Sequence, residues 1–302
     1  IFTRHIFTRH IFTRHIFTTN RRLIAKDTEQ VLRLTGERPM EGSTPDSLLA
    51  LHEAGYREVA ARLNGSLVLD VGCGVGDESV TLAAEGRRLI GIDYSADTAI
   101  LAAREWGVTS TRGAQITTAC MDGGSLGFAD ASFDSVCSSH IIEHFIDPER
   151  HVAEIARVCS DTGSVFVLTP NKPADFENPF HVYMFEKPQL FSMLRLFFEE
   201  VEVLGLVGDS EFQADFATRR ASGDRILKLD FLNLRRFLPR KMYVWIYEHA
   251  LPLVYRVLGS RVSGVGSGLD HTHLSISTEI DDKTPVLFAV AKRPRRPVLS
   301  ET

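Results

Sequence analysis

The sequence predicts an α/β fold built on a doubly wound, mostly parallel sheet. Three observations carry that expectation. The apolar run Leu67-Val68-Leu69-Asp70-Val71 leads directly into glycines at every second position, Gly72, Gly74 and Gly76. Short apolar runs then alternate with helix-patterned segments as far as Thr169. Such runs suit strands buried on both faces of a parallel sheet, with helices as the crossovers.

Bulk properties narrow the function classes. A chain of 302 residues with 44% hydrophobic and 24% charged content can bury the core of one elaborated domain or of two small ones. The formal charge is −5. Residues 1–20 hold Arg4, Arg9 and Arg14 but no acid, so the remainder is more acidic still. That balance argues against nucleic acid as a partner. Cys73, Cys120, Cys137 and Cys159 lie far apart, without paired metal spacing, and read as buried thiols in a reducing compartment. No uninterrupted apolar run reaches membrane-spanning length, and a cytoplasmic location is expected.

Taken in order, the chain opens with Ile-Phe-Thr-Arg-His repeated three times and a decayed fourth copy. A five-residue period matches no heptad or solenoid, so residues 1–20 are expected to be a disordered or artefactual low-complexity segment. Residues 21–64 read as a helical cap, with Ser43-Thr44-Pro45-Asp46 as a start signal and Asn64-Gly65 as the stop. After the glycine turn, Asp77 to Glu85 is expected to start a helix whose free N–H groups face the turn. A dinucleotide fingerprint would need glycine where Asp77 stands, and the Gly-Lys-Ser/Thr ending of a P-loop is absent. Two nearby acids, Asp70 and Asp77, favour a ligand that carries positive charge.

Leu89-Ile90-Gly91-Ile92 ends at Asp93, a carboxylate placed to accept ribose hydroxyls, with a helix N-cap as the competing role. A helix from Ala96 to Glu105 leads to the β-prone run 115–120, which stops at Met121-Asp122. Asp122-Gly123-Gly124 is also ordinary turn chemistry. Phe133-Asp134 introduces another strand that ends at Ser138-Ser139-His140, and a helix is expected to begin over Ile141–Phe145. Next come a helix over Pro148–Val158 and a buried strand over Ser164–Thr169. The polar-aromatic loop Asn178-Pro179-Phe180-His181 should lie at the carboxyl edge of the sheet, where open α/β folds bind ligands.

The acidic-Gly-x-Gly-x-Gly turn, the acid at Asp93, Met121-Asp122 and the Phe133-Asp134 strand together resemble the class I S-adenosylmethionine-dependent methyltransferases of the small-molecule and glycan type. The likeness covers about residues 45–208 and 285–293. It implies a Rossmann-like sheet of seven strands with the last antiparallel, the runs 200–207 and 285–292 being the sixth and seventh. It further implies that Asp70, Gly72, Cys73, Gly74 and Gly76 hold the amino acid end of S-adenosylmethionine. Asp93 would take the ribose, Tyr94, Met121 and Asp122 the adenine, and Ser139 the methionine part. His140, His144 and His181 are the candidate catalytic histidines that face the acceptor.

His140-Ile141-Ile142-Glu143-His144 also fits H-x-x-E-H, a zinc pattern in which two histidines share one helix face. No metal is expected, because the segment sits at a strand-to-helix corner beside a nucleotide-type loop. Residues 209–284, between the last two strands, are expected to form a helical insert, with helices over 226–238 and 241–258. Their mixture of Arg235, Arg236, Arg240 and Lys241 with Phe231, Tyr243, Trp245 and Tyr255 suits a lid, a dimer face or peripheral contact with a membrane through residues 226–258. Residues 65–208 then form the core, 285–293 its final strand and 294–302 a disordered tail. The expected activity is methyl transfer to a small-molecule, glycan or lipid-linked acceptor, most simply at oxygen. The alternatives are a nicotinamide-dependent oxidoreductase and a non-catalytic S-adenosylmethionine-binding protein.

Overall fold

The computed structural model describes residues 44–83, 86–109, 115–175, 181–227 and 267–296. The N-terminal repeat, the Asn178–Phe180 stretch, most of the expected insert helices and the end of the tail lie outside these residues.

Eight described strands form one sheet: β1 (Leu67–Val71), β2 (Arg88–Asp93), β3 (Gln115–Cys120), β4 (Phe133–Ser139), β5 (Cys159–Pro170), β6 (Phe198–Gly208), β7 (Leu274–Ser277) and β8 (Val286–Pro294). Their order is β3-β2-β1-β4-β5-β8-β6-β7. The five strands from β3 to β5 pair in parallel, whereas β8 runs antiparallel to both β5 and β6. This is the doubly wound arrangement read from the sequence, with one strand more than the seven expected. The extra strand is β7, inside the segment read as a helical insert. Its Leu274-Ser275-Ile276-Ser277 alternation pairs with Gly205–Gly208 and closes the edge that β6 would otherwise expose.

Each central strand is apolar on both faces because helices cover both. On one face Leu69, Val136, Val165 and Val167 pack with residues of α3 (Pro148–Val158) and α4 (Lys187–Phe197). On the other face Val68, Cys137, Phe166, Leu168 and Phe288 meet α1 (Asp46–Ala60), α2 (Ala96–Thr109) and α5 (Ser210–Leu227). Residues one apart along β1, β4 and β5 thus belong to opposite cores, as the period of two requires. Asp147 caps α3 by accepting from Arg150 N at 3.2 Å, with Pro148 in the first turn.

Four local expectations change. The segment after the glycine turn forms a 3₁₀ turn over Ser79–Leu82, not the start of an α-helix. Ser79 turns inward to bond Asp70, which tightens that turn. Ile142–His144 is likewise a 3₁₀ turn, so the two histidines of H-x-x-E-H do not share a helix face. Cys120 is exposed, unlike the other three thiols. Residues 294–296 are held in place: Arg296 reaches Asp161 and the carbonyls of Ala156, Arg157 and Cys159.

The glycine turn depends on Gly76. Its φ is +88°, Trp106 Nε1 donates to its carbonyl at 3.0 Å, and a Cβ would run into the indole ring. Gly76→Ala should therefore cost more than about 2 kcal/mol of stability. Chemical denaturation, with the indole fluorescence as the probe, measures it.

Candidate active site

The strand order reverses between β1 and β4, and open α/β sheets bind ligands in the crevice at such a switch point. The glycine turn leaves β1 at this place. Gly72 N and Cys73 N donate to Ile92 O at 2.8 and 2.9 Å, which ties the turn to the end of β2. Cys73 itself is buried beneath the turn. Gly74 has φ +56°, and a Cβ built on it meets nothing within 4 Å. The backbone here faces open space, as a ligand lying against it needs.

The acids differ in what they touch. Asp70 is fully buried, so its carboxylate does not face the crevice directly. It accepts from Ser79 Oγ and from Tyr56 OH at 3.3 Å, and so braces the turn from below. Burial pushes its carboxyl up to about 6, against the hydrogen bonds from Ser79 and Tyr56, which favour the ionised form. Asp93, at the end of β2, is buried and accepts from Ser95 N at 2.8 Å, while Ser95 caps α2 through Thr98 N at 3.4 Å. The cap role thus falls to Ser95. Tyr94 is 72% exposed beside it. Met121 N bonds Asp93 O at 2.9 Å, which brings the ends of β2 and β3 together. Asp122 is exposed, and its carboxylate accepts from Gly124 N at 2.8 Å, the turn role weighed above.

The end of β4 carries the histidines. Ser139 Oγ is buried without a hydrogen-bond partner. His140 follows with φ +54°, a left-handed conformation that non-glycine residues adopt at a cost. Its ring lies 4.4 Å from that of His52 on α1, and its Nδ1 is 3.7 Å from Glu143 Oε1. At that distance the contact is electrostatic rather than a hydrogen bond. Glu143 is 2% exposed and takes a bond from Thr169 Oγ1 at 3.0 Å. Burial alone would raise its carboxyl. The surrounding His140, His144 and His181 outweigh that and bring it down to about 2.

His181 reaches the same place from the far side of the chain. Val182 N and Tyr183 N both donate to Glu143 O, at 2.8 and 3.0 Å, and dock the returning loop. The His181 ring then stands 5.2 Å from that of His144, edge to face, and its Nδ1 bonds Asp175 Oδ2 at 2.7 Å. One ligand atom each from Glu143, His144 and His181 lie within 4.8 Å of one another. The three histidines singled out in the sequence therefore gather around a single carboxylate.

Sequence reasoning missed four participants. His52, Tyr56 and Asp175 come from elements whose spacing carries no site pattern. His151 is fully buried and joins Ser138 Oγ to Gly123 O, both at 2.9 Å, so that α3, β4 and the loop after β3 meet on one imidazole. A lone histidine on the apolar face of α3 was the one available signal.

Comparison with known proteins agrees with this fold. Residues 69–167 match the model of the methyltransferase domain family. A probable S-adenosylmethionine-dependent methyltransferase of Mycolicibacterium smegmatis is 32% identical over 178 residues, which is 57% of this chain and 66% of that protein. A ubiquinone biosynthesis O-methyltransferase of Paracidovorax citrulli is 34% identical over 123 residues, 40% of this chain and 50% of that protein. The chain spans less than two thirds of the length of these curated relatives. Among solved structures, an S-adenosylmethionine-dependent methyltransferase of Thermotoga maritima, a possible histamine N-methyltransferase, shares the fold. Its TM-score is 0.50 at 16% identity, over 82% of this chain and 91% of that one.

His151 also sets a pH signature. Burial pushes its imidazole down to about 4, against the Gly123 hydrogen bond. The folded protein thus refuses a proton that the unfolded chain takes up near pH 6.5. His151→Ala should cost about 3 kcal/mol at neutral pH, because Ser138 and Gly123 lose their partner. That wild-type advantage is full above pH 6.5 and shrinks as the pH falls towards 4, which urea titrations of both proteins across this range measure.

Proposed function

Since the chain carries a class I S-adenosylmethionine-dependent methyltransferase domain, we propose that it transfers a methyl group to a small-molecule, glycan or lipid-linked acceptor, at an oxygen atom. The observation that carries this reading is the adjacency of the open glycine turn and the histidine cluster. A Cβ on Gly72 would strike Ile141, the residue after His140, so turn and cluster pack against each other.

The residues at the turn fit the cofactor. Gly74 leaves the backbone bare for its amino acid end, between Gly72 and Gly76, whose missing side chains make room for Ile141 and Trp106, and Ser139 lies at the adjoining strand end. Asp93 is positioned for the ribose. Tyr94 and Met121 flank the adenine, with Asp122 at the edge of that pocket. Asp70 acts through the turn: it braces Ser79 and Tyr56 and adds negative charge beneath the cofactor's cationic end. S-adenosylmethionine, when bound, supplies a methyl group already activated on a sulfonium. The remaining work of the protein is to align an acceptor oxygen, keep water out and take up a proton. His140, His144 and His181 are the groups at hand for the acceptor, with Asp175 holding the His181 ring in orientation.

The part of the insert between α5 and β7 serves in this reading as a lid. Arg219 on α5 donates to Ser47 Oγ at 2.8 Å and His271 lies 3.1 Å from Glu53, so the described flanks of the insert both fasten to α1, the helix of His52 and Tyr56. The oxidoreductase alternative loses its support with the family match.

Two measurements test the proposal. Calorimetry should show saturable binding of S-adenosylmethionine. Gly74→Ala should weaken it at least about tenfold while costing no more than about 1–2 kcal/mol of stability, since the new Cβ enters ligand space and not the protein. Absence of binding to the folded wild type would defeat the proposal. Release of S-adenosylhomocysteine, followed with phenolic, glycosyl and lipid acceptors, identifies the acceptor class. With that acceptor, His181→Ala should lower turnover about 10²–10⁴-fold and leave cofactor affinity unchanged.

A further inference from the structure

We propose that Glu143, His144 and His181 form a binding site for one divalent transition-metal cation on the acceptor side of the crevice. This deepens the methyltransferase reading and rests on it only for the cation's purpose, not for its binding.

The first support is the donor set and its spacing. One carboxylate and two imidazoles offer three ligand atoms within 4.8 Å of one another. An ion bonded at about 2.1 Å holds its ligands roughly 3–4 Å apart, so small side-chain rotations close the ring. Two imidazoles with one carboxylate suit zinc, cobalt, nickel or iron better than magnesium or calcium. Three protein ligands also leave coordination positions open to another molecule.

The second support is the state of Glu143. Its carboxylate is 2% exposed, yet Oε1 has no hydrogen-bond partner and Oε2 receives only the neutral hydroxyl of Thr169. His140 Nδ1, at 3.7 Å, is too far to donate to Oε1. A buried anion with so little direct solvation calls for a positive charge close by. A cation between Glu143, His144 and His181 supplies it.

The third support lies one layer further out. Asp175 Oδ2 holds His181 Nδ1 at 2.7 Å, and both side chains are nearly buried. Metal-ligating histidines are oriented in this way by a carboxylate on the far nitrogen. His140 is not part of the set, since the 3₁₀ turn separates it from His144 and its ring rests on His52. The site is thus different from the H-x-x-E-H pairing, and it recruits its third ligand from beyond β5. Its use would be to bind the acceptor oxygen and draw off charge, so that the hydroxyl proton passes to His140, the histidine of the cluster that is not a ligand.

The test uses the full-length chain freed of metal by chelation and titrated with Co²⁺ and Zn²⁺. One equivalent of Co²⁺ should bind with visible d–d absorption and be displaced by Zn²⁺. His144→Ala and His181→Ala should each weaken binding at least tenfold, and Asp175→Asn ten- to a hundredfold. His273→Ala, at a histidine paired with Asp209 elsewhere, should change nothing. Calorimetry with S-adenosylmethionine on the same samples reports whether each variant is folded. A wild type that binds S-adenosylmethionine but no Co²⁺ at 1:1 stoichiometry overturns the metal site and leaves the methyltransferase reading standing. So does Co²⁺ binding indifferent to both histidine variants. Loss of S-adenosylmethionine binding with Co²⁺ binding intact defeats the methyltransferase reading instead.

Discussion

The parallel seam between β1 and β4 is the constraint from which the rest of the molecule follows. At its amino ends Asp134 Oδ2 accepts from Ser66 N and Leu67 N, at 2.7 and 2.9 Å, and Ser135 Oγ bonds Asn64. These bonds set the register that pairs Val71 with Ser138 at the other end. The glycine turn and the His140 corner therefore leave the sheet side by side, and the 3₁₀ turn after the first and α3 after the second pack on opposite faces. A crevice at that point is a consequence of topology, whatever side chains line it.

Asp70, His151 and Glu143 are titratable groups fully or almost fully buried around the crevice, and each is stabilised in its own way. Asp70 is an acid whose ionisation is resisted by burial and helped by two hydroxyls. His151 stays neutral and works as a double-ended connector between Ser138 and Gly123. Glu143 is an anion ringed by imidazoles rather than by backbone N–H groups. A protein interior tolerates such charge only where compensation is near, so the crowding of histidines about Glu143 reflects a single electrostatic need. That need also explains why His181 is pinned by Asp175 on one side and by the docked loop on the other.

α1 joins these parts to the insert. Its Tyr56 and His52 look towards the turn and the cluster, while Ser47 and Glu53 receive Arg219 and His271 from the insert's two flanks. One helix thus touches the glycine turn, the histidine cluster and both described flanks of the insert. Among the described residues no helix is long and apolar enough to cross a membrane.

The strand-and-helix alternation, the glycine turn and the placement of Asp93 were legible in the sequence, because burial on both faces and left-handed backbone leave a direct mark on residue choice. The range of α3 was readable for the same reason: Pro148 opens it and its apolar spacing is regular. What escaped was whatever depends on partners distant in the chain. Ser79 and Ile142–His144 give 3₁₀ turns where helices were expected, since Asp70 and the strand corner compete with helix propensity. β7 could not be read from four residues with no visible partner, and it exists only because β6 presents an open edge. The sequence alone determined the kind of crevice and which residues stand at the strand ends that border it. Only the tertiary structure decided that His52, Glu143, His144, Asp175 and His181 share one site, because electrostatic neighbours are chosen by folding and not by spacing along the chain.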